Sequence, residues 1–206
     1  DASMFADVVQ SSTYNVQDGN ALVVVNQNAL EESTVSALSW LASMNVNIDT
    51  LILDATTACD DTFVMQVLHA SASIGGRLRK LDLGRTCLTD TGLHCLAQHC
   101  PCLEQVRLKR TQLTDVGVQV LAMHCPRVQE VDLDGTQITD AGMQALAEHC
   151  PQLRIVSLCD TRITDGGVQA LAEHCPQLQI VGLCRTQITD TGLQALAEHC
   201  PQLQIV

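Results

Sequence analysis

A 25-residue unit recurs five times without slippage, and it constrains this 206-residue chain more than any other feature of the sequence. The copies begin at Leu78, Leu103, Val128, Leu153 and Leu178, and the first residues of a sixth follow at Leu203. Repetition at a fixed period of this length is typical of solenoids, in which each unit contacts only its neighbours. Because a unit this short cannot bury its apolar side chains alone, we expect stacked copies to share one continuous core.

Each unit predicts a short strand followed by a helix. In the fourth copy, Leu153–Leu158 alternates apolar and polar residues, as a half-buried strand does. Apolar residues then recur at helical spacing within Asp165–Cys175, namely Val168, Leu171, Ala172 and Cys175. Thr164 or Asp165 is a suitable N-cap for this helix, and Pro176 prevents its continuation. The units together predict an α/β solenoid with a parallel sheet on one face and helices on the other.

The framework residues of the unit match a known family. Written as L-x-x-L-x-L-x-x-T-x-[IL]-T-D-x-G-[LV]-x-x-L-A-x-H-C-P, the unit resembles the leucine-rich repeat, specifically the cysteine-containing subclass found in F-box/leucine-rich-repeat proteins. The resemblance covers Leu78–Val206 and implies a curved solenoid of about seven repeats, with the sheet on its concave face and the helices on its convex face. Threonine stands where the family usually has Cys or Asn, and we expect its hydroxyl to hydrogen-bond the turn backbone; these residues are Thr86, Thr111, Thr136, Thr161 and Thr186.

The segment before the regular copies predicts two less regular ones. The first offers a strand at Leu22–Val25 and the second a strand at Leu51–Leu53, each followed by a helix. Terminal repeats of solenoids are commonly atypical because they close the core against water. We therefore expect a lead-in or cap at residues 1–19, two irregular repeats at residues 20–77, and five regular repeats plus the start of a sixth at residues 78–206.

Cysteine usage bears on the compartment. Five of the eleven cysteines recur at one position of the unit, namely Cys100, Cys125, Cys150, Cys175 and Cys200. Stacked equivalents of this kind are better interpreted as small buried hydrophobes than as disulfide partners. The pattern therefore predicts a reducing compartment, the cytoplasm or the nucleus.

Charge is unevenly spread and bears on partners. Residues 1–76 hold nine acids and no Lys or Arg, whereas residues 77–206 hold 14 acids and 11 bases, a net charge of −3 out of −12 for the chain. An acidic chain without a basic stripe predicts that neither nucleic acid nor an anionic membrane is a partner. No apolar run reaches the length of about 18 residues that spans a bilayer, so we expect no membrane insertion.

The His-Cys-Pro segment that closes each regular copy invites a chemical interpretation. Neighbouring helical residues point about 100° apart, so the cysteine faces the sheet and the histidine faces the outer rim. Equivalent histidines on successive helices would lie ~8–10 Å apart, too far to share a metal ion. A histidine also suits the negative end of a helix. We therefore expect these segments to be structural, and expect no enzyme, no catalytic residue, no metal and no cofactor.

Positions that vary from copy to copy lie on the strands and directly after them. We call this surface the strand face, meaning the side of the sheet turned away from the helices. Side chains on this face do not pack in the core, and such folds usually bind their partners through them. The candidate partner-binding residues are Lys80, Asp82, Arg85, Gln105, Arg107, Lys109, Arg110, Glu130, Asp132, Asp134, Ile155, Cys159, Asp160, Ile180, Cys184 and Arg185.

Two interpretations of the strand face stay open. Charges alternate in sign between neighbouring copies, which predicts ladders of compensating ion pairs along Asp82–Arg107–Asp132, Lys109–Asp134 and Asp160–Arg185. Alternatively, the charged N-terminal half and the more apolar C-terminal half together contact a protein. Cys159 and Cys184 stack on this face, so a disulfide or a shared metal ion is a further alternative.

Strict framework repetition beside variable strand positions favours a non-enzymatic scaffold that binds a protein partner through the strand face. The resemblance implies one alternative, the substrate-recognition part of an F-box-type ubiquitin ligase. A second alternative is a structural subunit of a larger multi-subunit complex.

Overall fold

The structure is a computed structural model that describes residues 12–17, 20–25, 47–53, 60–70 and 76–204. The elements in these ranges are β1 (Ser12–Gln17), β2 (Asn20–Val25), β3 (Asn47–Ile52), α1 (Asp61–Ala70), β4 (Lys80–Asp82), α2 (Asp90–His99), β5 (Gln105–Arg107), α3 (Asp115–His124), β6 (Glu130–Asp132), α4 (Asp140–His149), β7 (Ile155–Ser157), α5 (Asp165–His174), β8 (Ile180–Gly182) and α6 (Asp190–His199). The helix predicted after Leu22–Val25 lies outside the described residues, and the division of the chain into three segments stays a prediction.

The described strands form one eight-stranded sheet in chain order, from β1 to β8. Every neighbouring pair from β2 onward is parallel, as predicted, and Lys80, Gln105 and Glu130 lie side by side at equivalent positions. The exception is β1, which pairs antiparallel with β2. Residues 1–19 were expected to form a lead-in or cap, without any element being assigned there, and β1 lies in this segment. Asp18-Gly19, the dipeptide between the two strands, is favoured at two-residue hairpin turns and was the available signal.

Alternation along each regular strand separates core from surface. The middle residues of these strands are buried, namely Leu81, Val106, Val131, Val156 and Val181. Each strand is followed by another core residue, and Leu83, Leu108, Leu133 and Leu158 are completely buried. Full burial of one such side chain contributes about 1.5–3 kcal/mol. Since every copy adds the same set, the core is a stack of similar layers between the sheet and the helices, as expected for an α/β leucine-rich-repeat solenoid.

The turn after each regular strand is tied by its threonine. The Thr86 hydroxyl donates to the carbonyl oxygen of Leu83 at 2.8 Å. Thr111, Thr136, Thr161 and Thr186 repeat this bond at 2.6–2.7 Å. A hydroxyl buried without a partner would be costly, and this bond removes the cost. The prediction that threonine hydrogen-bonds the turn backbone is confirmed.

The Thr-Asp-x-Gly motif begins each regular helix and ties it to the preceding repeat. Thr164 is the N-cap of α5, because its hydroxyl oxygen accepts from the Gly166 N–H at 3.4 Å. The N–H and the hydroxyl of Thr164 donate to the carboxylate of Asp140, the first residue of the preceding helix, at 2.8 and 2.5 Å. The same bridge joins Asp61 to Thr89, Asp90 to Thr114, Asp115 to Thr139 and Asp165 to Thr189.

Glycine at the end of this motif makes room for the bridge. A Cβ atom on Gly167 would lie 2.7 Å from Oδ1 of Asp140, closer than van der Waals contact allows. The equivalent glycines meet the aspartate of the preceding repeat in the same way: Gly92, Gly117, Gly142 and Gly192. Asp165 was considered only as a possible N-cap of its own helix. Its contact with the next repeat is hidden in a single copy because the partner threonine comes 24 residues later.

Candidate functional site

The strand face consists of four columns of equivalent residues. Two columns lie on the strands, at the positions of Lys80 and Asp82. The other two lie in the following turn, at the positions of Gly84 and Arg85, because each regular strand has only three residues. The parallel register aligns the eight predicted residues that lie on the strands, and the eight in the turns follow at equivalent positions of the 25-residue unit. Their contact with a partner stays a prediction.

The last column has a left-handed backbone in every copy. Its φ angles are 59° at Arg85, 54° at Arg110, 65° at Gly135, 59° at Asp160 and 55° at Arg185. This conformation costs a non-glycine residue about 1–2 kcal/mol, whereas glycine adopts it freely. The backbone N–H groups still donate to the next copy, from Arg85 to the Lys109 carbonyl at 2.8 Å for example. The stacking of the copies therefore imposes the conformation.

Only some of the predicted charge pairs form. Arg107 lies 3.6 Å from Asp82, and Arg185 lies 3.4 Å from Asp160. Within the described part of the chain, Arg107 forms no ion pair with Asp132, nor Lys109 with Asp134. The prediction of continuous ladders is therefore wrong in the middle of the sheet.

Asp134 binds neutral donors instead of a cation, which explains the broken ladder. The Ser157 hydroxyl and the Cys159 N–H both donate to its Oδ1 atom at 2.7 Å. Oδ1 of Asp132 accepts from the Asp134 N–H at 3.2 Å. Burial raises the pKa of the Asp132 carboxyl above its ordinary value, and the Asp134 hydrogen bond opposes the rise. The two carboxylates thus form a half-buried acidic border across the middle of the strand face.

Cations gather on the part of this face formed by the first two regular copies, at β4 and β5. Residues 77–110 hold seven Lys or Arg against three Asp or Glu, a net charge of +4 in a chain of −12. We call Lys80, Arg85, Arg107, Lys109 and Arg110 the basic cluster. Its members come from two copies and meet because β4 pairs with β5. The inference from composition that the chain lacks a basic stripe missed this cluster.

A shallow pocket opens beside the basic cluster, with a volume of about 60 Å³. It is lined by Thr50, Ile52, Lys80, Leu81, Asp82, Gln105 and Arg107. Small-molecule sites usually occupy about 300–1,000 Å³, so this pocket suits a single side chain rather than a substrate. Thr50 and Ile52 were missed as candidates, although the alternation in β3 places them beside Lys80 and Asp82.

The C-terminal half of the strand face is less charged. Ile155 and Ile180 lie side by side and are half-buried. Cys159 and Cys184 are both free thiols and occupy equivalent positions of neighbouring copies. Burial raises the pKa of the Cys159 thiol, a hydrogen bond with the Cys184 backbone opposes the rise, and the charge of Asp134 adds to it. The described residues contain no group of three or more side chains that could hold a metal ion, so the shared-metal alternative finds no third ligand.

The cysteines of the His-Cys-Pro segments are structural. Burial raises the pKa of four of them to about 12: Cys100, Cys125, Cys150 and Cys175. The Cys125 thiol donates to the Cys100 carbonyl at 3.3 Å, so the column is linked from copy to copy. A thiol with this pKa carries almost no thiolate at neutral pH and is a poor nucleophile.

The histidines of these segments close the helices. Nδ1 of His174 lies 3.0 Å from the Ala170 carbonyl oxygen, and since a carbonyl only accepts, Nδ1 carries the proton. The same bond, at 2.7–3.0 Å, recurs at His99, His124, His149 and His199. Each histidine thus adds a side-chain hydrogen bond to a carbonyl oxygen near the C-terminal end of its own helix, which agrees with the structural interpretation.

Comparison with known proteins identifies the repeats. A family model described as a Leucine Rich repeat matches residues 78–97, 99–122, 124–147 and 149–172. A search of curated proteins gave no significant match. Each described helix has 10 residues, which is too short to span a bilayer.

Proposed function

Since the chain is a leucine-rich-repeat protein, we propose that it is a non-enzymatic scaffold that binds a protein partner through the strand face. Leucine-rich repeats support a role in protein interaction in general. One observation carries the specific proposal. The buried framework is nearly identical in every copy, whereas the first column of the strand face changes from Lys80 through Gln105 and Glu130 to Ile155 and Ile180.

The chemistry of this face suits a protein partner. Protein interfaces combine apolar contacts with charged and polar groups, and the strand face offers Ile155 and Ile180 at one end and the basic cluster at the other. Its pocket accommodates one side chain, which is the scale of contact between proteins. The weakly acidic thiol of Cys159 gives no support to a nucleophilic reaction there.

The helix face of α3 is the rival surface. Val116 and Met123 lie seven residues apart on this helix and are 60% and 64% exposed. Equivalent positions elsewhere hold smaller or polar residues, such as Thr91 and Gln98 in the preceding copy. Exposed apolar side chains also occur singly without function, so the two surfaces need a direct comparison.

Two double variants compare these surfaces at matched chemistry. Ile155→Gln/Ile180→Gln gives the strand face the residue that Gln105 already places at the equivalent position. Val116→Thr/Met123→Gln gives the helix face residues found in the preceding copy. Each variant and the wild type are used for affinity capture from native extract, with proteins quantified by mass spectrometry. We expect the strand-face variant to capture about tenfold less of these proteins than the wild type, which corresponds to a loss of about 1.4 kcal/mol of binding free energy.

The helix-face variant should retain the captured proteins, provided that both variants unfold at denaturant concentrations close to the wild-type value. Loss of capture only in the helix-face variant would contradict the proposal. Two narrower hypotheses remain predictions, the substrate-recognition part of an F-box-type ubiquitin ligase and a structural subunit of an assembly. Ligase components among the lost proteins favour the first, and a fixed set of partners in constant stoichiometry favours the second.

A further inference from the structure

Two arginines of the basic cluster are exposed side by side without an ion-pair partner. Arg85 and Arg110 occupy equivalent positions of neighbouring copies, whose strands lie about 4.8 Å apart. Neither forms an ion pair with any described residue, in contrast to Arg107 beside Asp82. Like charges at neighbouring positions disfavour each other, and no ion pair with a described residue offsets this for Arg85 and Arg110.

The backbone adds a second cost at the same two residues. Both adopt the left-handed conformation, with φ of 59° and 54°, and the fold accepts glycine at this position, as Gly135 demonstrates. The stem of Arg110 lies over Gly135, with its Cγ atom 3.1 Å from where a Cβ would be. The missing Gly135 side chain therefore leaves space for Arg110 along the strand face. Neither folding nor neighbouring charges explain why arginine occupies these positions.

We propose that the basic cluster binds an acidic peptide segment of the protein partner, whose carboxylates face Arg85 and Arg110. This inference rests on the proposed function and adds the chemistry of the partner. Arginine binds carboxylates through paired, charge-assisted hydrogen bonds, and such bonds are about twice as strong as neutral ones. The pocket beside Lys80 and Arg107 receives one further side chain of the peptide.

The surroundings of the cluster favour a peptide over a nucleic acid. Asp82 lies between the cations, and Asp132 and Asp134 border them on the next copy. A nucleic acid carries a charge on every nucleotide and would place phosphates against these carboxylates. A peptide can place its acidic residues opposite Arg85 and Arg110 and its neutral residues opposite the acidic border formed by Asp132 and Asp134.

The test measures binding of short labelled peptides to the full chain by fluorescence anisotropy. The probe is a fluorescein-labelled dodecapeptide of alternating Glu and Thr, and its control has Gln in place of Glu. A third probe replaces Glu by Ser and carries one phosphothreonine, and a fourth is a twelve-nucleotide single-stranded DNA. We expect the Glu peptide to bind at least about tenfold more tightly than the Gln peptide, and binding to weaken as salt rises.

Glycine substitutions then locate the site. Arg85→Gly/Arg110→Gly should raise the Kd of the Glu peptide about tenfold or more, while unfolding at the same or a higher denaturant concentration. Arg185→Gly is the matched control, because Arg185 has the same backbone conformation but lies outside the cluster, paired with Asp160. Its effect on peptide binding should stay below about twofold.

Several results would overturn the proposal. These are no binding of the Glu peptide, equal binding of the Gln peptide, equal weakening by Arg185→Gly, or tighter binding of the DNA. Tighter binding of the phosphothreonine peptide would overturn carboxylates as the acidic group. The proposed function would stand in all these cases if Ile155→Gln/Ile180→Gln still reduced partner capture about tenfold, and it would fall separately if that variant had no effect.

Discussion

Adjacent glycines at the start of α5 are expected to respond to alanine with opposite signs. Gly166 is exposed, and a Cβ there would lie 3.1 Å from Oδ2 of Asp140 with no closer neighbour. Alanine already stands at the equivalent position in Ala141. Because glycine costs a helix roughly 0.5–1 kcal/mol relative to alanine, Gly166→Ala should stabilise the chain by about that amount.

Gly167→Ala, in contrast, should destabilise the chain. The new Cβ would lie 2.7 Å from Oδ1 of Asp140 and 3.2 Å from its Cα, so the carboxylate must move. Moving it weakens the bonds from the Thr164 N–H and hydroxyl, now at 2.8 and 2.5 Å. Hydrogen bonds to a charged group contribute about 1.5–3 kcal/mol each. After subtraction of the helix gain, we expect a net loss of about 2 kcal/mol.

Urea denaturation followed by circular dichroism measures both effects on the full chain. A third variant, Asp140→Ala/Gly167→Ala, tests the cause, because removing the carboxylate removes the clash. In the Asp140→Ala background, Gly167→Ala should cost at least about 1 kcal/mol less than in the wild type. Equal costs in both backgrounds, or a Gly167→Ala chain as stable as Gly166→Ala, would refute the bridge as the reason for glycine.

Three further outcomes follow from the burial and charge of single residues. Iodoacetamide should modify exposed Cys184 in the native chain, whereas buried Cys150 should react only after unfolding. Peptide mass spectrometry measures the modification of each cysteine, and comparable rates for the two in the native chain would contradict the burial of the cysteine column. Asp132→Asn should raise the urea midpoint at pH 7. The raised pKa of Asp132 means that the folded state resists its ionisation, and an amide oxygen still accepts the Asp134 N–H. This gain should fade as the pH falls through the raised pKa of Asp132 and be absent below its ordinary value of 3.8, and a loss at pH 7 would contradict it. Asp165→Ala should lower the urea midpoint at pH 7. Hydrogen bonds from Thr189 of the next repeat hold the pKa of Asp165 below its ordinary value of 3.8, so the folded state favours the ionised carboxylate. Its bridge stabilises the chain above that pH and is lost as the pH falls through the lowered pKa, so equal deficits at pH 7 and pH 2 would argue against it.

Features confined to one copy could be predicted from the sequence. The strand, the helix, the threonine turn and the buried Cys175 follow from local spacing, and the structure has each of them. The hairpin of β1 and β2 is also local, and the dipeptide Asp18-Gly19 would have indicated it.

Features shared between copies could not be predicted in this way. The bridge from Asp140 to Thr164 joins residues 24 positions apart, and only the stacked geometry brings them into contact. The partners of the charged residues could not be predicted either. Alternation of sign predicts an ion pair between Asp134 and Lys109, whereas in the structure the Asp134 carboxylate accepts a hydrogen bond from the Ser157 hydroxyl. Opposite charges in register do not fix an ion pair when a nearer neutral donor is available.

Photo-crosslinking tests the binding surface most directly. Benzoylphenylalanine replaces either Gln105 on the strand face or Gln119 on the helix of the same copy, so the same residue type is exchanged on opposite faces. After capture from native extract and irradiation, we expect position 105 to crosslink to the captured partner and position 119 to give no crosslink. A partner crosslinked from position 119 and not from position 105 would contradict binding through the strand face.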